Sequence, residues 1–376
     1  MTDAADPVEL TKELIRIDTV NPPGNEEQAL SLLGELLAAG GFDLHWHRFA
    51  SGRANLIATL PGARNAFLGF TGHLDTVPVG ETPWRHPPFA AHEQDGRIYG
   101  RGASDMKSGV AAFVCAALEA AGSGRLEGGL ALVLTAGEER GSEGLMRLRE
   151  DGIRLPPLAG LVVAEPTSNR LSLGHKGALF LRVTTRGVTA HSSMPQEGDN
   201  AIYRLAEAVL KVRDMAFDVA HPVLGAPSRN VALVSGGHAL NAVPDLASFT
   251  MDFRTIPGQE HADLLDALRV ELGPKFEIEV VHDLPPVWTD PDDGFVGLCR
   301  TVLDAPAAEP LGMPFFTDAS VLVSMTGAPT VILGPGEATQ AHKTDEWCRV
   351  QDIRRARDIY ARLIAEFGRG GQAAGR

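Results

Sequence analysis

Near the start of the chain, apolar residues recur at helical spacing. Leu10, Leu14 and Ile17 share one face behind Asp6-Pro7, a pair suited to opening a helix. A second helix is predicted over 25–39 through Ala29, Leu32, Leu33, Leu36 and Leu37. Gly40-Gly41 ends it, because glycine accepts the left-handed conformation of a helix C-terminus. The period then changes. Strands are predicted over 54–60 and 65–71, and the nearly all-apolar stretch 108–121 predicts a buried helix. Continuous apolar runs at 129–135 (GLALVLT) and 160–164 (GLVVA) are of the kind found in strands covered on both faces. Strands alternating with helices predict an α/β sheet.

From Gly177 the order changes again. A strand at 178–185, a helix at 199–213, strands at 230–235 and 246–254, a helix at 259–272 and an alternating strand at 276–282 give β-α-β-β-α-β, a ferredoxin-like unit. Beyond Pro285-Pro286 come a helix at 295–303, a strand at 329–333 and a closing helix at 352–367; the final GRGGQAAGR reads as a disordered tail. The expected architecture is one α/β domain split between 1–176 and 285–376, interrupted by an inserted α+β domain at 177–284.

Composition narrows the partners. The chain has 376 residues, 44% of them hydrophobic, enough to build sizeable cores. Its formal charge of −14 argues against nucleic acid or an anionic membrane, which need a basic face to displace counterions. The longest smooth apolar stretch, 109–118, is about half of what a bilayer crossing needs, and the start of the chain carries no basic and apolar leader pattern. Cys115, Cys299 and Cys348 are odd in number and scattered, so no disulfide framework is expected and the cytoplasm is the default compartment. No G-x-S-x-G elbow is present, and Met106 stands where a phosphate loop requires glycine before Lys107-Ser108.

Polar residues of note fall just past the ends of predicted strands, where open α/β sheets bind ligands. Gly72-His73-Leu74-Asp75 follows the second strand, Ala103-Ser104-Asp105-Met106-Lys107 precedes the buried helix, and Ala136-Gly137-Glu138-Glu139 and Glu165-Pro166 follow the apolar runs. Gly334-Pro335-Gly336 leads to Ala341-His342-Lys343-Thr344-Asp345-Glu346. Two histidines and four or five carboxylates converging on one edge would repel one another without cations. Imidazole and carboxylate in that ratio suit zinc, with cobalt or manganese as alternatives. One carboxylate bridging two ions would account for the count, with the ions ~3.5–4 Å apart and clamping a shared hydroxide. Taken singly, an HxD pair or adjacent glutamates are more often a hydrogen-bonded loop or a helix start.

Together these segments resemble the di-zinc metallopeptidase family of acetylornithine deacetylase, succinyl-diaminopimelate desuccinylase, aminoacylase and carboxypeptidase G, over essentially the whole chain. The resemblance implies a zinc-exopeptidase-like mixed sheet flanked by helices, with the insert as a lid and dimerisation domain. It implies His73 and Glu165 as ligands of one ion, Glu139 and His342 as ligands of the other, and Asp105 as the bridge, with a cis peptide bond to Met106. Asp75 would orient the His73 imidazole, and Glu138 would be the general base. His191 in Gly187-Val188-Thr189-Ala190-His191-Ser192-Ser193 matches a histidine that reaches the partner subunit's active site and helps hold the oxyanion. Asn241 matches a substrate-facing asparagine and Arg254 a carboxylate-gripping arginine; without the resemblance, Arg254 reads equally as a surface ion pair.

The family implies hydrolysis of an amide between an acyl group and an amino-acid or peptide amine, in a homodimer. Phe316-Thr317-Asp318-Ala319 resembles the threonine-acid-alanine stretch of the deacetylases, making Thr317 a candidate substrate contact. Desuccinylases of this kind carry Arg-Arg-Gly where this chain has His175-Lys176-Gly177, although Lys176 still offers a point charge. An N-acetyl or related small-acyl amino acid is therefore the expected substrate, ahead of a desuccinylase and a carboxypeptidase or dipeptidase on the same scaffold. A catalytically silent metal-binding interaction protein is the reading from another class, and Glu138 opposes it, since a silent relative needs no base.

Overall fold

The computed structural model describes residues 6–124, 126–304 and 309–369. The chain divides into two compact units, Met1–Gly174 with Trp288–Leu311 and Thr317–Arg376, and His175–Val287 with Gly312–Phe316.

The first unit is built on a mixed sheet. In spatial order its strands include Asp43–Ala50, Arg53–Leu60, Gly128–Thr135, Arg64–His73, Leu158–Val163 and Thr330–Ile332. Arg64–His73 runs parallel to both neighbours, with His73 opposite Thr135 and Thr71 opposite Val163. Three strands thus end at one edge, and the residues that follow them converge there. All eight positions of Gly128–Thr135 are buried, as its continuous apolar run requires. Asp43–Ala50 escaped the sequence pattern because it is an edge strand whose sequence, DLHWHRFA, is largely exposed. The short strands His92–Gln94, Arg97–Tyr99 and Trp347–Arg349 form a separate small sheet, each too brief to show a period.

Helices cover this sheet. Pro7–Arg16 is capped by the Asp6 carboxylate, which accepts from the Val8 N–H. Glu26–Ala39 ends at Gly41, whose φ of 85° is the left-handed conformation anticipated for the glycine pair. Ser108–Gly122 is the buried helix; its Phe113 stacks on Phe70, and Tyr360 of the closing helix Val350–Arg369 meets Phe70 edge-on. That last helix takes in Gly368 and Arg369 of the expected tail, and the rest of the tail lies outside the described residues. No helix among the described residues is long and apolar enough to cross a membrane.

The second unit is a four-stranded antiparallel sheet in the order Ser228–Gly236, Leu246–Arg254, Ala178–Arg186, Phe276–Leu284, with helices Ala201–Asp214 and His261–Leu272. Chain order and pairing are those of the expected ferredoxin-like unit. Its core joins alternating strand residues such as Leu181, Val183, Phe249 and Met251 to Leu205 and Leu268 of the two helices.

Candidate metal centre

The sheet edge of the first unit gathers the predicted ligands. His73 is the last residue of its strand; its Nε2 lies 3.1 Å from Asp105 Oδ1 and 3.7 Å from Glu165 Oε1. On the other side, His342 Nε2 lies 3.0 Å from Glu139 Oε2 and 3.6 Å from Asp105 Oδ2. Donors bound at about 2.0–2.1 Å in a tetrahedral shell stand about 3.3 Å apart, so both sets have metal-ligand spacing. The two oxygens of Asp105 face different histidines, the arrangement of a bridging carboxylate. Donor atoms of His73, Asp105 and Glu139, and separately of His73, Glu138 and Glu165, lie within 4.8 Å of one another.

Backbone packing fixes these positions. A side chain at Gly109 would place its Cβ 2.2 Å from the Ala164 carbonyl oxygen, and one at Gly334 would do the same, so Ala164-Glu165 is pinched between two glycines. His342 has a φ of 64°, left-handed for a non-glycine residue, as is common at functional sites. The Asp105–Met106 peptide is cis.

Asp75 does more than the orienting role expected of it. The His73 Nδ1–H donates to the Asp75 backbone carbonyl at 3.0 Å, with the carboxylate farther away at 3.5 Å, and this tautomer leaves Nε2 free to bind. The carboxylate also accepts from the Glu138 N–H at 3.1 Å, the Glu139 N–H at 3.3 Å and the Asn21 amide at 3.0 Å. Burial would raise its pKa, but the hydrogen bond and charge of His73, together with these donors, hold it below the ordinary carboxylate range.

The three glutamates of the site respond oppositely. Burial drives Glu138 well above the ordinary range, and the like charges of Glu165, Glu139 and Asp318 add to it. Glu165 is raised well above by burial and by the charge of Asp105, and Glu139 by burial despite its hydrogen bond from His342. Oxygen and imidazole donors packed with this much unrelieved negative charge fit divalent cations.

Three positions were missed in the sequence. Glu346 is 1% exposed and accepts from Arg101 Nη1 at 2.8 Å and from the N–H groups of Gly102, Ser104 and Asp105 at 2.9, 2.7 and 3.0 Å. It holds the turn that presents Asp105, and its only sequence signal was its place in the acidic run after His342. Asn55 accepts from the Ala136 N–H and donates to the Gly144 carbonyl, clamping both ends of the loop that carries Glu138 and Glu139. A polar residue within the buried run RANLIATL was the available clue. Lys107 is fully buried and donates to the Leu14 and Ile17 carbonyls, tying the end of the first helix to the segment that carries Asp105.

The model of peptidase family M20/M25/M40 matches residues 69–366. The chain belongs to that family. It is 30% identical to acetylornithine deacetylase of Proteus mirabilis (strain HI4320) over 386 residues, covering 96% of each chain. It is 29% identical to a probable succinyl-diaminopimelate desuccinylase of Staphylococcus epidermidis (strain RP62A), covering 96% of this chain and 98% of the relative. A tripeptidase of Staphylococcus aureus subsp. aureus Mu50 has the same fold, with a TM-score of 0.76 at 22% identity over 98% of this chain and 99% of that one. As a member of the M20 family, the chain is a metal-dependent hydrolase of amide or peptide bonds.

The expected substrate residues are less assembled. Thr317 is fully buried and its hydroxyl accepts from the Ala319 N–H, closing the turn into helix Ala319–Thr326. In the second unit, the Lys176 ammonium donates to the Ala226 carbonyl at 2.5 Å. Arg254 pairs with Asp252 at 2.9 Å, over the rings of Phe180 and Phe316. His191 is exposed, and its main chain bridges Ala242 beside Asn241.

His175 is fully buried, donates through Nδ1 to the Lys176 carbonyl and has no partner at Nε2; burial pushes its pKa down to about 4. The unfolded chain therefore binds a proton near the usual 6.5 that the folded chain refuses until about 4, so stability falls with acidification across that window. His175→Leu should remove roughly 3 kcal/mol of this acid sensitivity, read from urea midpoints at the two ends of the window. Parallel losses in both proteins would contradict it.

Proposed function

We propose that this hydrolase cleaves the amide bond of an N-acyl amino acid, N-acetyl before other acyl groups, in the manner of an acetylornithine deacetylase. The observation that carries the reading is Asp105 standing between His73, near Glu165, and His342, near Glu139, with the buried Glu138 within reach of His73 and Glu165. His73, Glu165 and one Asp105 oxygen would hold one divalent ion, and His342, Glu139 and the other oxygen the second, zinc first. Such ions polarise the scissile carbonyl and make an attacking water more acidic. Glu138 then takes the proton from that water and passes it to the leaving amine nitrogen. Asp75 keeps Glu138 and Glu139 in register with His73.

Arg254, released from its pair with Asp252, would offer a planar cation to the amino-acid carboxylate. The desuccinylase reading is weaker, because Lys176 is spent on a backbone carbonyl and His175 is neutral and buried, which leaves no free cation for a succinyl group at these two positions. We also propose a homodimer through the second unit, whose edge strand Ser228–Gly236 exposes Leu233 and Val234. His191 of one copy would serve the oxyanion in the other. Of N-acetyl, N-succinyl and N-formyl amino acids and dipeptides, assayed with zinc and with cobalt, the N-acetyl compounds should give the highest kcat/KM. A tenfold preference for succinyl would overturn the acyl assignment.

His342→Ala should bind one ion per chain instead of two, measured by plasma emission after desalting; two retained ions would remove His342 from the ligands. His191→Ala should lower kcat more than KM, since an oxyanion contact acts only as charge develops. A change confined to KM would contradict that role.

A further inference from the structure

Away from the metal centre, the first unit has a cavity of about 240 Å³ lined by Arg170, Arg300 and Arg355. In a chain of formal charge −14, three guanidinium groups around one small space are unexpected. Among the described residues, the side chains of Arg170 and Arg355 have no hydrogen bond or ion pair, and Arg300 spends one N–H on the Pro291 carbonyl. Planar, unpaired guanidinium groups are the fittest side chains for a carboxylate.

Asn169 closes one side of the same cavity, its Nδ2 donating to the Asp352 carbonyl. Glu309 brings a carboxylate without an ion pair among the described residues. The remaining wall is aliphatic, from Leu171, Leu173, Leu303 and Leu311. We infer that this cavity binds a free α-amino acid with an aliphatic side chain. The arginines take its carboxylate, Glu309 its ammonium group, and the leucines its side chain.

Along the chain, one lining residue lies close to the metal centre. Asn169 lies four residues after Glu165, and the intervening turn is fastened by Thr167 and Asn169 N–H bonds to the Gly334 carbonyl and a Ser168 N–H bond to Gly336.

Calorimetric titration of the metal-loaded protein with L-leucine, isovalerate and isoamylamine tests the site, each probe supplying the carboxylate, the ammonium group or both. Leucine should bind saturably in the millimolar range and about tenfold more tightly than either single-charge probe. Arg170→Gln/Arg355→Gln should weaken leucine at least tenfold, and Glu309→Gln should weaken leucine while sparing isovalerate. Each variant should keep the hydrolase activity of the parent on N-acetyl substrates, so failure here is separable from failure of the proposed reaction. Unchanged leucine binding in the arginine variant, equal affinity for isovalerate, or no saturable heat would overturn the assignment. Because both arginines are exposed, loss of fold is not expected, and circular dichroism of the variant checks it.

Discussion

Glu138→Gln should lower turnover by about 10²–10⁴-fold and leave both ions bound. The substitution keeps the shape of the side chain and removes its ability to accept a proton. The Glu138 N–H still reaches Asp75, so the loop and its neighbour Glu139 stay in place. The decisive measurement pairs kcat with metal content per chain. Full activity would sink the proton-transfer role. Loss of an ion along with activity would instead make Glu138 a ligand, a position its closeness to His73 and Glu165 also permits. Raising the pH should not rescue the variant, because an amide has no carboxylate to regain.

Glu346→Ala should cost about 3–5 kcal/mol of folding stability, among the largest effects available from one side chain. Arg101, itself 2% exposed, would lose its carboxylate, and three backbone N–H groups would lose their acceptor. Because one of those groups belongs to Asp105, metal affinity should fall as well. Urea denaturation reads the first effect and competition with a chelator the second. Glu346→Gln, which keeps one carbonyl oxygen, should fall between the parent and the alanine variant. A stable Glu346→Ala protein with parental metal affinity would contradict the positioning role.

Much of the framework could be read directly. Runs such as GLALVLT are strands covered on both faces, told from a buried helix by their shortness; the ferredoxin-like unit followed from five changes of pattern in the right order. His73, Asp105, Glu139, Glu165 and His342 stood out because each follows a strand or precedes a helix at one sheet edge. What escaped the sequence was whatever acts through the backbone. Glu346 speaks to N–H groups, which every residue carries, and Asn55 clamps a loop eighty residues away. Neither leaves a spacing pattern. The reach of Asp75 beyond His73 was equally illegible, since its carboxylate also takes the N–H groups of the next loop.

Asp75 joins the histidine-bearing strand end, the Glu138-Glu139 loop and the Asn21 turn through one buried carboxylate. Glu138 and Glu139 are neighbours on that one loop, so on the proposed roles an opening that freed it would take away a metal donor and the proton acceptor together. A molecule opened there would be silent instead of indiscriminate.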